Sequence, residues 1–395
     1  MALPVAQLIR LLRSLLPGIL RLLLALLLPT VYLVQPAAGS PDAGELRIAA
    51  VFSESGIAAP HNKPLIEMTK LAVDKINENG GILGKQVRLL LLDNLSTPIG
   101  SAMAARKCVE QQVAAVIGAH WSSHSLAMAP ILEEAAIPMI SPGSTNPDVT
   151  KGRNYIFRTC FIDSFQGLAM AKFAYNNLQA RSAVVATAID EDYSTVLGQF
   201  FSRAFEKAGG RVLEEIGYRG SATDFSENIR KILEGRPDVV YLPGYTRDSG
   251  LFIKQAVKMG VQATFLGGDA WDEIETYAGA AVAGSFQSAP WHPEVPYSAS
   301  EEMKQFFKDV YGREIANNSS PLAYDAVMLL ADAITRAGST DRQAIRDALA
   351  TTRDFRGATG SITFDGSGDP LDKGIIIIEF KDGQRVFKET IQPEP

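Results

Sequence analysis

The chain has 395 residues, of which 46% are hydrophobic and 21% charged, and a formal charge of −6. That length and apolar fraction suffice for about two domains with sizeable cores. The acidic balance gives no electrostatic footprint for nucleic acid, which is excluded as a partner.

In chain order, residues 1–39 stand apart. Arg10, Arg13 and Arg21 precede an apolar run from Leu22 to Val34, and QPAAGS follows. This is a basic n-region, an h-region and a small-residue cleavage site, so a cleaved signal peptide is expected over 1–39 and export to the periplasm with it. The run contains Pro29 and falls short of the roughly 20 residues that a spanning helix needs. Cleavage after Gly39 puts Ala37 and Gly39 at the small-residue positions, and removal of the leader takes the formal charge from −6 to −9. No cysteine lies near the cleavage site to take a lipid. Cys108 and Cys160 sit in apolar contexts, where buried thiols are commoner than a disulfide, although export permits one.

Short apolar strands then alternate with amphipathic helices. Leu46–Val51 reads as a strand, Pro64–Asn77 as a helix with Leu65, Met68, Ala72, Val73 and Ile76 on one face, and Val87–Asp93 as a strand of a parallel sheet. Helix Ser101–Gln112, strand Ala114–Gly118, helix His124–Ala135 and strand Pro138–Ile140 complete one doubly wound lobe. After YIFRTC and FIDSFQG the rhythm restarts: strand Ala183–Ile189, helix Tyr193–Ala208, strand Arg211–Tyr218, helix Phe225–Glu234, strand Val239–Leu242, helix Asp248–Met259 and strand Thr264–Gly267. Asp224 and Glu227 have capping-box spacing at the helix that starts there. The restart points to two lobes of one architecture, without a legible sequence repeat. Beyond Pro290, helices Ser298–Tyr311, Pro321–Arg336 and Asp341–Ala350 follow one another, and SITFD and GIIIIEF read as a strand pair around GSGDP. Helices without intervening strands are expected to pack back on the earlier sheet, making the lobes discontinuous.

Four loops occupy the carboxyl ends of predicted strands, where an open α/β sheet binds ligands. GAHWSSHS offers Ser122 and Ser123 at a helix start, suited to a carboxylate; SPGSTNP offers the Gly143 carbonyl and Thr145; LPGYTRD offers Tyr245, and GGDAWD offers Asp269. A carboxylate-binding helix end on one lobe, with an acid and a tyrosine on the other, suits an α-amino acid. Each residue also has an ordinary reading: the serines as N-caps, the tyrosines as core aromatics, Asp269 as a turn closer. Trp271 and Trp291 read as packing or cleft-rim residues. His120 and His124 read as loop residues, with no metal-ligand pattern around them.

In these loops, and in SGxxA (Ser55–Ala59), AVDKINENGGILGK, FRT followed by Asp163, and GSGDP after TFD, the chain resembles the branched-chain amino acid-binding proteins of bacterial ABC transporters. The likeness runs from Leu46 to the C-terminus. It implies the type I periplasmic binding protein fold: two doubly wound, Rossmann-like α/β lobes joined by a multi-strand hinge. Lobe 1 is then 45–162 plus 292–366 and lobe 2 is 163–291 plus 367–391, with crossings near Asp163, Pro290 and Gly366. The resemblance places the ligand carboxylate on Ser122 and Thr145, its ammonium on Gly143 and Asp269, and pocket aromatics at Tyr193 and Tyr245. His61 stands where the family often has an aromatic, and Trp121 where the best-known members have a half-cystine. Ser96 replaces the other half-cystine, so that family disulfide is not expected.

The expected function is capture of an apolar L-amino acid by a monomer and its delivery to a membrane permease, with no cofactor and no metal. A sensor of the same fold for an amide, urea or aromatic acid is the alternative. An α/β enzyme is disfavoured, because no GxSxG elbow, Walker A loop or spaced metal-ligand cluster is present.

Overall fold

The structure, a computed structural model, describes residues 44–364 and 366–393. The expected signal peptide lies outside the described residues. The first sheet contains β1 (Glu45–Phe52), β2 (Gln86–Asp93), β3 (Ala115–Gly118), β4 (Met139–Ser141) and β5 (Ile156–Arg158) in the order β2-β1-β3-β4-β5, all parallel. The second contains β6 (Ser182–Ala188), β7 (Arg211–Tyr218), β8 (Val239–Tyr241), β9 (Thr264–Gly267) and β10 (Phe286–Ala289) in the order β7-β6-β8-β9-β10, also parallel. The two five-strand orders are the same. The repeat that no residue pattern displays is therefore present in the topology.

Alternation along the central strands explains why both sheets are covered on both faces. In β1, Ile48, Ala50 and Phe52 enter one core while Ala49 and Val51 enter another. In β6, Val184, Ala186 and Ala188 face one core, and Ala183 and Val185 the opposite one. Successive strand side chains point to opposite faces, so a fully apolar strand requires two apolar layers. Helix Ala59–Glu78 covers β1, and helices Ser298–Tyr311, Ser320–Ala337 and Arg342–Ala350 join the same core through Met303, Phe307, Tyr324, Leu329, Leu330 and Ile345. The late helices do pack back on the first sheet.

The C-terminal segment departs from the expected strand pair. β11 (Phe355–Gly357) pairs with β12 (Gly360–Ile362), whereas β13 (Ile375–Lys381) lies between β10 and β14 (Gln384–Ile391) as an antiparallel extension of the second sheet. Among the described residues SITFD and GIIIIEF share no ladder: Phe364 bridges instead to Pro370, at the end of GSGDP. Four consecutive isoleucines need apolar cover on both faces, which a short hairpin around GSGDP cannot supply. The capping box at Asp224 is also replaced: its carboxylate accepts from the Ser226 N–H at 2.9 Å and hydroxyl at 2.6 Å, two residues on. Two helix starts come earlier than the apolar periodicity indicates. One begins at Ala59 and carries Pro64 inside it, and the other begins at Pro98, after Thr97 accepts from the Gly100 N–H at 2.9 Å. Helix Asp163–Lys172, absent from the sequence reading, opens the second lobe. Cys108 and Cys160 are free and buried, and burial pushes both thiols up to about 12. Among the described residues no helix is long and apolar enough to cross a membrane.

Candidate functional site

Helix Ser122–Glu134 follows β3, and its N-cap residue Trp121 has extended backbone. The Trp121 carbonyl accepts from the His124 and Ser125 N–H groups, both at 3.1 Å. The earlier amides, Ser122 and Ser123, have no intrahelical acceptor, as at any helix start, and carry the positive end of the dipole. Most hydroxyls around them serve structure. Ser125, Ser141 and Ser144 converge on the Ala119 carbonyl at 3.2, 2.7 and 3.3 Å, and Ser144 also reaches Ser125 Oγ at 2.7 Å. The Asn146 N–H donates to Ser122 Oγ at 3.3 Å, so the two hydroxyl loops are tied together.

Thr145 is different. Its hydroxyl is fully buried and faces the buried Asp163 carboxylate without a well-formed hydrogen bond to it, while the Asp163 N–H donates to the Thr145 carbonyl at 2.9 Å. Burial pushes the Asp163 carboxyl up to about 8, with the facing Thr145 hydroxyl and Arg158 opposing the shift and Asp269 adding to it.

The second lobe mirrors this arrangement. Helix Thr246–Lys258 follows β8, and Tyr245 is its N-cap residue with extended backbone. Trp121 and Tyr245 thus hold matching positions after the third strand of each sheet. They stack on each other across the cleft, with ring centroids 3.9 Å apart and planes 15° apart. Tyr193 stacks behind Tyr245 at 5.4 Å and His124 against Trp121 at 5.4 Å, while the His61 ring is 6.4 Å from Trp121. Asp269, after β9, accepts on Oδ1 from the Tyr193 hydroxyl at 2.8 Å and from Gln166 Nε2 at 2.8 Å. A Cβ at residue 268 would stand 2.1 Å from the Tyr193 hydroxyl, so Gly268 is what lets that contact form. Burial pushes Asp269 up to about 7, partly offset by the Tyr193 hydrogen bond. It lowers the pKa of His61, and also those of His120 and His124, to about 3 and about 4, so the imidazoles are neutral.

Trp121, Ser122, Gly143, Tyr193, Tyr245 and Asp269 line one cavity of about 20 Å³ with His120 and Ala270. Thr145, Ser123 and His61 stand outside its wall. The cavity is about the size of one water molecule. Three contributors were not assigned to the site from sequence: His120, read there as a loop residue, whose ring packs on Gly143; Gln166, which orients Asp269; and Asn94, which lies 3.2 Å from His124 Nδ1. FIDSFQG was the available signal for Gln166. Trp271 and Trp291 are core residues, donating to the Leu242 carbonyl at 3.2 Å and to Ser300 Oγ at 2.8 Å.

A family model described as periplasmic binding protein matches residues 45–385. The chain belongs to the periplasmic binding protein family. Its two lobes are those of the type I architecture in this family's solved structures. A leucine-binding protein LivK from Thermotoga maritima superposes with a TM-score of 0.84 at 38% identity, covering 88% of this chain and 99% of that one. LivJ from Streptococcus pneumoniae, a branched-chain amino acid transporter substrate-binding protein solved with isoleucine, gives 0.82 at 28%, covering 89% and 100%. The Leu/Ile/Val-binding protein BraC3 of Rhizobium johnstonii is 29% identical over 367 residues, 91% of this chain and 98% of that protein.

Proposed function

We propose that this family member is an exported, monomeric solute-binding protein that captures an L-amino acid with a branched or other apolar side chain and hands it to an ABC permease. The observation that carries the reading is the division of the grip. Ser122 at a helix start and the buried Thr145 hydroxyl belong to one lobe, while the Asp269 carboxylate belongs to the other. A zwitterion needs both ends answered, with its ammonium between Asp269 and the Gly143 carbonyl and its side chain among Tyr193, Tyr245, Trp121 and His61. Leucine- and isoleucine-binding relatives of similar length support the same ligand class. The chemistry is capture without turnover. Lobe 1 is assigned to 45–162 plus 292–366 and lobe 2 to 163–291 plus 367–391.

Calorimetry with L-leucine, L-isoleucine, L-valine, L-alanine and L-phenylalanine, each beside its amide and N-acetyl form, tests this directly. The free amino acids should bind, and the blocked forms should lose roughly 3–5 kcal/mol, because blocking leaves a buried charged partner unanswered. Equal affinity for blocked and free forms would reject a zwitterion site in favour of an amide or aromatic-acid ligand.

A further inference from the structure

Arg158 ends β5 with its side chain fully buried, outside the cavity wall. Its Nη1 donates to the Ser144 carbonyl and, at 3.1 Å, to the Asn146 carbonyl; Nη2 reaches Asn146 O at 3.1 Å and Thr150 Oγ1 at 2.7 Å. The carbonyls on either side of Thr145 are thus held by one guanidinium. Arg158 Nε lies 2.7 Å from Asp369 Oδ1, an ion pair off the line of a good hydrogen bond, and Thr150 donates to that same oxygen at 2.8 Å. The Arg158 N–H donates to the Gly368 carbonyl at 3.1 Å. Gly368 has φ +82°, and a Cβ there would meet the Ile156 carbonyl at 2.2 Å, so the GSGDP turn is pressed onto β5. That turn belongs to the third passage between the two sheets.

Burying an ion pair gains little stability over an apolar pair of the same volume, whereas a planar five-donor fork fixes geometry that lysine cannot. We infer that Arg158 and Asp369 are positioning residues for the ligand carboxylate: they hold the backbone on both sides of Thr145, set where its hydroxyl points, and tie that segment to the third inter-lobe crossing. This inference rests on the reading of Thr145 as a carboxylate contact.

A double-mutant cycle on L-leucine affinity, measured by calorimetry on the full chain, tests it. Thr145→Val removes the hydroxyl at constant shape, and Arg158→Lys keeps the charge but loses the fork. Each alone should weaken binding roughly 10–100-fold. The double variant should be within about threefold of Arg158→Lys, because a mispositioned hydroxyl has little left to lose. Asp369→Asn, nearly isosteric, replaces Arg158→Lys in a parallel cycle in case the latter does not fold, and the same non-additivity is expected. A purely structural role would lower the melting temperature and leave leucine affinity unchanged, or give losses that multiply; either result overturns the inference alone. Wild-type affinity in Thr145→Val would overturn the carboxylate reading, and this inference with it.

Discussion

Burial keeps a proton on an acid that water would strip, and this protein buries several such acids. Asp269 titrates at about 7 and Asp163 at about 8 in the folded chain, against 3.8 for an ordinary aspartate. Glu191, pushed up by burial and its acidic neighbours, and Asp248, pushed up by burial, also reach about 7. When the folded value lies above the unfolded one, the native state keeps a proton that the unfolded chain has released. Stability contributed by these groups is therefore present below pH 4 and is lost as pH rises towards 7–8. The ligand ammonium proposed to sit at Asp269 would reverse the preference there, because it pairs only with the ionised form. Melting temperature without ligand should accordingly fall from pH 5 to pH 8, while the rise produced by leucine should grow over the same range. Scanning fluorimetry of wild type and Asp269→Asn checks both trends, and a leucine effect that is flat with pH would remove Asp269 from the ammonium contact. Ser122, Gly143 and Asp269 were legible from sequence because each sits in a loop of small or polar residues directly after an apolar strand. Gln166 and Arg158 were not, because what they do depends on Asp269 and Asp369, which only the finished fold brings to them.

Elements read well where a single apolar stripe met a single surface. Helix Asp192–Lys207, with Tyr193, Leu197, Phe201 and Phe205 buried along one face, was legible almost to the residue. Helix Asp163–Lys172 buries residues around much of its circumference and shows no such stripe. The isoleucines of β13 look the same in a hairpin or a sheet centre until their neighbours are known. The loop after β9 has a further consequence, since it carries two acids that face different ways. Asp269 faces the cavity. Asp272 accepts from the Asn318 N–H at 2.8 Å, just ahead of helix Ser320–Ala337, whose core is shared with the first sheet. Asp272 thus joins the second lobe to the first wherever the cleft is shut. Asp272→Ala is expected to speed leucine dissociation roughly tenfold with little change in association, as for loss of one buried hydrogen bond that forms on closure. Stopped-flow kinetics separate the two rates. A change confined to association would assign the contact to the open form.

At the scale of the whole molecule, two sheets of the same strand order meet through matching loops. His61 and Tyr193 lie on the helices after each first strand, Trp121 and Tyr245 after each third, Thr145 and Asp269 after each fourth. The correspondence was invisible in the residues because the paired positions differ in chemistry: a histidine matches a tyrosine, an indole a phenol, and the Thr145 hydroxyl the Asp269 carboxylate. A cavity of about 20 Å³ admits no amino acid, so entry requires the lobes to part and the Trp121–Tyr245 stack to separate. The chain has three tryptophans, and two of them, Trp271 and Trp291, are sealed in the lobe cores at 0% and 1% exposure. They form a constant optical background, while the indole of Trp121 lies against a tyrosine from the opposite lobe. The protein thereby carries its own reporter of opening and closing, and needs no added dye. Saturating leucine should change the tryptophan emission of wild type and leave that of Trp121→Phe unchanged. Leucine that binds by calorimetry without altering wild-type emission would mean that the stack never parts and that ligand enters by another route.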